Sequence, residues 1–387
     1  MAIFMTGATG FIGSYATDWL LRNTDHELAL LVRAADYDGG VERLWRSLQL
    51  HMQADQFYRS LDRICFITGD LSEPDLGISN ADYDWLISNA ESVLHNAAAL
   101  NFRSDRACTN HNLRGTLSVI KLARAIQDDH PLRRFTLVST AAVAGERPGD
   151  TVLENEPLDW DRRDFNPYTR TKKFCEHMVR ELLPDVPRLY LRPSSVIGDS
   201  RFSETTQFDM VRAFCVLTDL PVLPFSKDTR VDIVNADWVG PSIAELHLRE
   251  DLSYDTYHLS AGSESRSMGE IAEAFSETLG KRMPRFVGGL KAPFEQVMRL
   301  LANLNRGGNA QRIGALLSVF VPYMAADIVY DNTRSVTDLH TAPVPFTRYG
   351  ADLYHYAKSV DFEFPYCSLP EGLDLSNVPP NPVRPMA

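Results

Sequence analysis

Gly7, Gly10 and Gly13 stand three apart directly behind the short apolar run Ile3–Met5, and no other feature constrains this chain as much. Residues without a side chain let a strand turn sharply into a helix while the backbone closes on a pyrophosphate. The stretch that follows, Phe11–Arg22, carries Ile12, Tyr15, Ala16, Trp19 and Leu20 in helical order. The triplet therefore has the strand–turn–helix setting of a dinucleotide site, not that of an ordinary glycine turn. Free amides and the positive end of the helix dipole would hold the phosphates.

Strand and helix patterns then alternate. Strands are expected at His26–Arg33, Arg63–Thr68, Ser92–His95, Arg134–Ser139 and Arg188–Val196. Helices are expected at Val41–Gln56, from about Asn112 to Ile126, and at Pro167–Leu183. This rhythm predicts an α/β, doubly wound parallel Rossmann sheet with its ligands beyond the carboxyl ends of the strands, where Gly7, Arg33, Asp70, Asn96 and Ser139 fall. Asp232–Val234 and Tyr257–Leu259 read as late strands returning to that sheet around a helix at Trp238–Leu248. The expected division is a cofactor domain of residues 1–198 plus 229–262, and a smaller, mostly helical C-terminal substrate lobe of 199–228 plus 263–387. The five prolines of Leu369–Ala387 suggest an extended or mobile strap.

A formal charge of −12 over 387 residues argues against nucleic-acid binding. Five dispersed cysteines (Cys65, Cys108, Cys175, Cys215, Cys367) lack metal-ligand spacing and fit reduced thiols, so no metal is expected. The longest apolar run, Leu316–Ala326, is interrupted by Pro322 and is too short for a membrane span. With the glycine motif at the very start, no leader is expected ahead of it, and a cytoplasmic location is expected.

Tyr168 and Lys172 stand one helical turn apart in N-P-Y-T-R-T-K-K, so they share a face. An ammonium there would favour the phenolate and lower a pKa ordinarily about 10. The same lysine could reach ribose hydroxyls. Ser139-Thr140 closes the preceding strand and would put a hydroxyl beside the phenol, a pair able to bind a carbonyl oxygen. Alone, such hydroxyls are more often strand-end caps. A second copy of the spacing, Tyr354 with Lys358, has no strand-end hydroxyl before it and reads as a coincidence.

Together these residues resemble the extended short-chain dehydrogenase/reductase superfamily. The resemblance rests on T-G-A-T-G-F-I-G at Thr6–Gly13, G-D-L at Gly69–Leu71, N-A-A-A at Asn96–Ala99, Ser139-Thr140, Tyr168/Lys172 and L-R-P-S at Leu191–Ser194. It implies Thr140, Tyr168 and Lys172 as the catalytic set, Thr140 being the hydroxyl five residues before Gly145. For cofactor contacts it implies Thr6, Gly7, Thr9, Gly10, Phe11, Ile12, Gly13, Asp70, Leu71, Asn96, Ala97, Ala98, Tyr168 and Lys172, with Arg192, Pro193, Ser194 and Val196 on the nicotinamide side. Asn112 in N-L-R-G-T resembles the helix asparagine that positions a water, and joins that set. Within the superfamily the chain is most similar to thioester reductases and fatty acyl-CoA reductases, through L-L-V-R-A, I-T-G-D-L-S-E-P-D-L-G, H-N-A-A-A-L-N-F, R-P-S-S-V-I-G-D-S and Y-D-N-T-R at Tyr330–Arg334. This resemblance implies reduction of an acyl thioester, on coenzyme A or an acyl carrier protein, to an aldehyde, either stopping there or going on to a primary alcohol.

At the end of the second strand, where an acid would select NADH, stands Arg33, and Arg43 on the next helix adds a second guanidinium. NADPH is therefore expected, although Asp36 could bind a ribose if the loop curled back. Residues 281–312 carry Lys281, Arg282, Arg285, Lys291, Arg299, Arg306 and Arg312 against the single acid Glu295. Phe294, Val297, Met298, Leu301, Leu304 and the apolar Ile313–Met324 run alongside them. This is either a helix with a solvated basic face or a basic rim beside an apolar groove, suited to an acyl chain on a phosphorylated carrier. Cys175 could offer a covalent route, but no histidine is placed to activate it. Rival readings are a sugar-nucleotide epimerase or dehydratase, a ketone or sterol reductase, and an NADPH-sensing regulator without activity.

Overall fold

The structure is a computed structural model that describes residues 1–100, 102–304 and 308–371. Arg306 and residues 372–387 of the proline-rich tail lie outside the described residues. Seven parallel strands form the central sheet: β1 (Ala2–Thr6), β2 (Glu27–Val32), β3 (Ile64–Thr68), β4 (Ala90–His95), β5 (Arg134–Val138), β6 (Arg188–Pro193) and β7 (Thr256–Leu259). Their order, β3-β2-β1-β4-β5-β6-β7, reverses between β1 and β4. That reversal opens a crevice at the carboxyl ends, where α/β sheets hold ligands. The expected α/β, doubly wound parallel architecture is the one observed.

Eight helices position the cleft: α1 (Phe11–Asn23), α2 (Tyr37–Leu48), α3 (Gly115–Asp129), α4 (Pro167–Leu182), α5 (Asp209–Thr218), α6 (Ala236–Leu248), α7 (Lys291–Ala302) and α8 (Asn309–Met324). Along β1 the side chains alternate between two cores, as the two-residue strand period demands. Ile3 and Met5 pack with Leu20, Trp45, Val239 and Ile243, whereas Ala2 and Phe4 pack with Val119, Phe135, Cys175 and Val179. Burial on both faces explains why these strands read as continuous apolar runs. A separate core, with Phe214, Phe225, Ile271, Phe275, Leu317, Phe320, Phe346 and Leu353, holds the second lobe.

Two expected elements differ. The helix expected at Val41–Gln56 begins four residues earlier and ends at Leu48, with a second short helix at Ala54–Ser60. Asp36 starts it by accepting the Gly39 N–H at 2.9 Å, and Gly40 lies flat on the Phe66 ring where a Cβ would come within 3.0 Å. The strand expected at Arg188–Val196 leaves the sheet after Pro193, which cannot donate to a ladder. Ser195–Val196 then pairs in parallel with Ile233–Val234, so that segment forms its own two-stranded sheet and only Thr256–Leu259 joins the main one. No helix among the described residues is long and apolar enough to cross a membrane.

Candidate active site

The cleft at the switch point encloses about 620 Å³. Its floor is the β1–α1 turn. Gly7 sits at φ +77°, and a Cβ there would lie 2.6 Å from the Ala97 nitrogen. A Cβ on Gly13 would fall 1.9 Å from the Gly7 oxygen, so helix and turn touch only because both residues lack side chains. Asn96 Nδ2 donates to that same Gly7 oxygen at 3.1 Å. No side chain caps the α1 N-terminus at Gly10, which leaves its first amides free for an anion. A bare, glycine-built cradle of this kind fits a dinucleotide pyrophosphate.

Most of the expected contact residues line this cleft: Gly7, Thr9, Gly10, Phe11, Ile12, Arg33, Arg43, Asp70, Leu71, Asn96, Ala97, Ala98, Thr140, Tyr168, Lys172, Pro193, Ser194 and Val196. Thr6, Gly13, Asn112 and Arg192 do not. Thr6 stands behind the turn, where its hydroxyl accepts from the Ala97 N–H at 3.1 Å and bonds His95 Nδ1 at 2.7 Å. Asn112 lies in a wide helical turn, Thr109–Arg114, just before α3. It grips the Ala99 backbone, accepting its N–H at 2.7 Å, and donates to Thr171 Oγ1 at 3.2 Å. Its amide thus braces the loop after β4. Arg192 points away from the cleft into a bidentate pair with Glu176 (3.0 and 2.7 Å), both side chains buried. Strand alternation puts Arg192 on the face opposite Pro193, so its expected cofactor contact is replaced by a structural ion pair.

Beyond the end of β2, at one end of the cleft, Arg33 and Arg43 converge. Arg43 donates to the Arg33 carbonyl at 3.3 Å, and Arg33 Nη1 stands 4.0 Å from Asp70 Oδ2. Burial and the neighbouring Arg33 hold the Arg43 guanidinium below its usual pKa. Asp70 falls below the usual carboxylate range, because Ser72 donations and Arg33 outweigh its partial burial. Asp36, committed to its helix cap, is not curled back toward the cleft.

At the opposite end, Thr140 starts the turn Ala141–Ala144, accepting the Ala142 N–H at 3.3 Å and keeping its own hydroxyl hydrogen. Asn166 and Pro167 start α4, so Tyr168 sits in the first helical turn. Lys172 donates to the Val138 carbonyl at 2.7 Å. Burial raises the Tyr168 pKa and lowers that of Lys172. The expected lowering of the phenol by its lysine does not appear, because the ammonium faces β5 and the cost of burying the phenolate dominates. The second Tyr-x-x-x-Lys pair is elsewhere: Tyr354 and Lys358 both bond Asp219, at 2.7 and 2.8 Å.

Residues that sequence reasoning did not single out complete the cavity, among them Leu100, Phe102, Gln207, Met210, Phe320 and Tyr323. Phe320 and Tyr323, three apart on α8, lie inside the apolar run Ile313–Met324, and that spacing was their one visible signal. The basic stretch is less charged than its composition. Lys281 bonds Asp219 and Tyr354, Lys291 caps the Ala325 carbonyl, and Arg299 pairs with Glu295, leaving Arg282, Arg285 and Arg312 exposed. Val297 and Leu300 of α7, and Leu304 just after it, are exposed as well, while Met298 is buried against α8.

Residues 5–243 match an NAD-binding family described as male sterility protein. A linear gramicidin synthase of Brevibacillus parabrevis is 30% identical over 262 residues, which is 67% of this chain and 5% of that protein. A fatty acyl-CoA reductase of Drosophila melanogaster is 29% identical over 243 residues, 55% of this chain and 46% of its own length. The chain thus spans less than half of either relative. The terminal R domain from the myxalamid PKS-NRPS pathway has the same fold, with a TM-score of 0.77 at 23% identity over 93% of this chain and 91% of its own. On the matched residues, the chain belongs to the male sterility protein family, the thioester reductase and fatty acyl-CoA reductase branch of the extended short-chain dehydrogenase/reductase superfamily.

Proposed function

We propose that this chain is an NADPH-dependent reductase that converts an acyl thioester, carried on coenzyme A or an acyl carrier protein, into an aldehyde, with or without onward reduction to a primary alcohol by a second NADPH. The observation that carries the reading is one cleft with Arg33 and Arg43 at one end and Thr140, Tyr168 and buried Lys172 at the other. Two guanidiniums repelling each other beside a single acid favour a dianionic 2′-phosphate between them. Asp36 is engaged with Gly39, and Asp70 already accepts from Ser72 and faces Arg33, which favours a phosphate over a bare ribose there.

A bound reduced nicotinamide supplies hydride to the thioester carbonyl. Thr140 and Tyr168 bind the carbonyl oxygen and hold the charge that develops on it. Tyr168 delivers its proton to that oxygen, and Lys172 stabilises the phenolate left behind. The resulting hemithioacetal collapses, its C–S bond breaking to release a thiol and the aldehyde. Phe102, Phe320 and Tyr323 give the substrate end an aromatic wall, which favours an acyl group over a sugar nucleotide. Exposed Arg282, Arg285 and Arg312 give this part of the chain a basic surface, which would favour a phosphorylated carrier.

The test is NADPH oxidation with a medium or long acyl-CoA, the matching carrier thioester, and the free aldehyde. Thioester-dependent oxidation with stoichiometric thiol release is expected, and the preferred carrier names the partner. Oxidation with the aldehyde alone would reduce the reading to a carbonyl reductase. Silence with all three would overturn it.

A further inference from the structure

Tyr323 faces the cavity from α8, and its ring is fixed on two sides. It stacks on Phe165 with centroids 4.9 Å apart and meets Phe102 edge-on at 6.1 Å. Phe102 in turn meets Tyr168 at 5.4 Å, so the two phenols flank one aromatic ring. The Tyr323 oxygen lies 2.5 Å from Asn166 Nδ2. The direction of that bond follows from the helix cap. Asn166 Oδ1 accepts the Thr169 N–H at 3.1 Å, which only an oxygen can do, so the amide nitrogen faces Tyr323 and donates to it.

The phenol hydrogen therefore occupies the other in-plane position and has no acceptor among the described residues. Burial keeps the group protonated by raising its pKa. Leu100, Phe102, Met210 and Phe320 line the same cavity, with Gln207 and Asp209 as polar neighbours of Met210, and Phe102 lies directly against the Tyr323 ring. A donor fixed in such a cavity penalises a ligand that cannot accept from it and rewards one that can.

We propose that Tyr323 is a specificity-determining residue: its O–H donates to an acceptor oxygen on the acyl group near the reacting carbonyl. The site then prefers thioesters carrying an amide there over plain alkyl thioesters. This inference rests on the thioester reading above and narrows its substrate class.

The experiment measures dissociation constants by calorimetry on protein saturated with NADP+, where no hydride is available and nothing turns over. Two N-acetylcysteamine thioesters of equal length are compared, one with an N-acetylated aminoacyl group and one with its all-carbon counterpart. Wild type is expected to prefer the amide, and Tyr323→Phe to cut that preference about tenfold, the worth of one buried hydrogen bond. Asn166→Asp keeps the cap but turns the phenol hydrogen toward the carboxylate, so it should cut the preference as well. Thermal melts of both variants check folding.

Equal loss of affinity for both thioesters in Tyr323→Phe would mean the phenol only braces Asn166 and would overturn the proposal. A wild type without preference would do the same. If wild type keeps the preference yet fails to reduce any thioester with NADPH, the Tyr323 assignment stands and the reductase reading falls.

Discussion

Lys172 stands one helical turn beyond Tyr168, yet its ammonium donates to the Val138 carbonyl of β5, 2.7 Å away. The phenol has no hydrogen-bond partner among the described residues and is held protonated by burial. On the mechanism proposed above, Tyr168 would therefore be activated only once ligands fill the cleft and draw the lysine toward it.

That geometry separates the two roles. Tyr168→Phe is expected to lower kcat by a factor of about 10³ or more, with the NADPH dissociation constant within about threefold of wild type. Lys172→Met should lower kcat and also weaken NADPH binding, if the buried cation serves the cofactor as proposed above. Fluorescence titration with NADPH alongside single-turnover kinetics reads both effects. Full activity in Tyr168→Phe would remove the phenol from the chemistry.

The paired guanidiniums beyond the end of β2 give a second prediction. Replacing Arg33 and Arg43 together by serine should raise KM for NADPH by about 10- to 100-fold, as expected when one or two charge-assisted bonds are lost. KM for NADH should change little, so cofactor preference narrows or inverts. Parallel losses for both cofactors would mean the arginines hold the fold and not a phosphate.

Much of this site was legible because it is local. Gly7, Gly10 and Gly13 declare the turn by spacing alone, and Tyr168 and Lys172 declare a shared helix face. What escaped depends on partners distant in sequence or on strand direction. Arg192 adjoins Pro193 and Ser194, but the two-residue strand period sends it to the opposite face, where Glu176 on α4 receives it. The early start of α2 was hidden because two glycines lower helix propensity, while the Asp36 cap and the Phe66 ring restore it. Tyr323 looked like one more apolar core residue, because nothing in the sequence ties it to Asn166.

The Arg192–Glu176 pair tests its structural role directly. Removing one partner leaves a buried charge uncompensated, so Glu176→Leu or Arg192→Met alone should cost about 3–5 kcal/mol. The double variant, apolar on both sides, should recover most of that loss. A double-variant cycle by denaturant unfolding measures the coupling. A single Arg192→Met variant of native stability but much weaker cofactor binding would instead return Arg192 to the cleft.

Acid lability follows from histidines buried as neutral rings. Burial pushes His95 and His258 down to about 3, and lowers His247 as well. All three are fully buried, bonded through Thr116, the Asp331 carbonyl and Thr136 respectively. With a folded pKa below the unfolded value of about 6.5, each ring contributes stability that is complete above 6.5 and is lost as pH falls, at about 1.4 kcal/mol per unit. Glu154 works in the opposite sense. Burial outweighs the amides of His258 and Arg334 and raises its carboxyl to about 7, so the folded state regains stability as pH falls from 7 toward 4.5. One carboxyl returns roughly 2 kcal/mol between pH 7.5 and 5.5, against roughly 4 kcal/mol lost by three rings. The melting temperature should therefore drop on acidification from pH 7.5 to 5.5, and drop further in Glu154→Gln than in wild type. A flat or rising profile would mean that these rings are hydrated in solution.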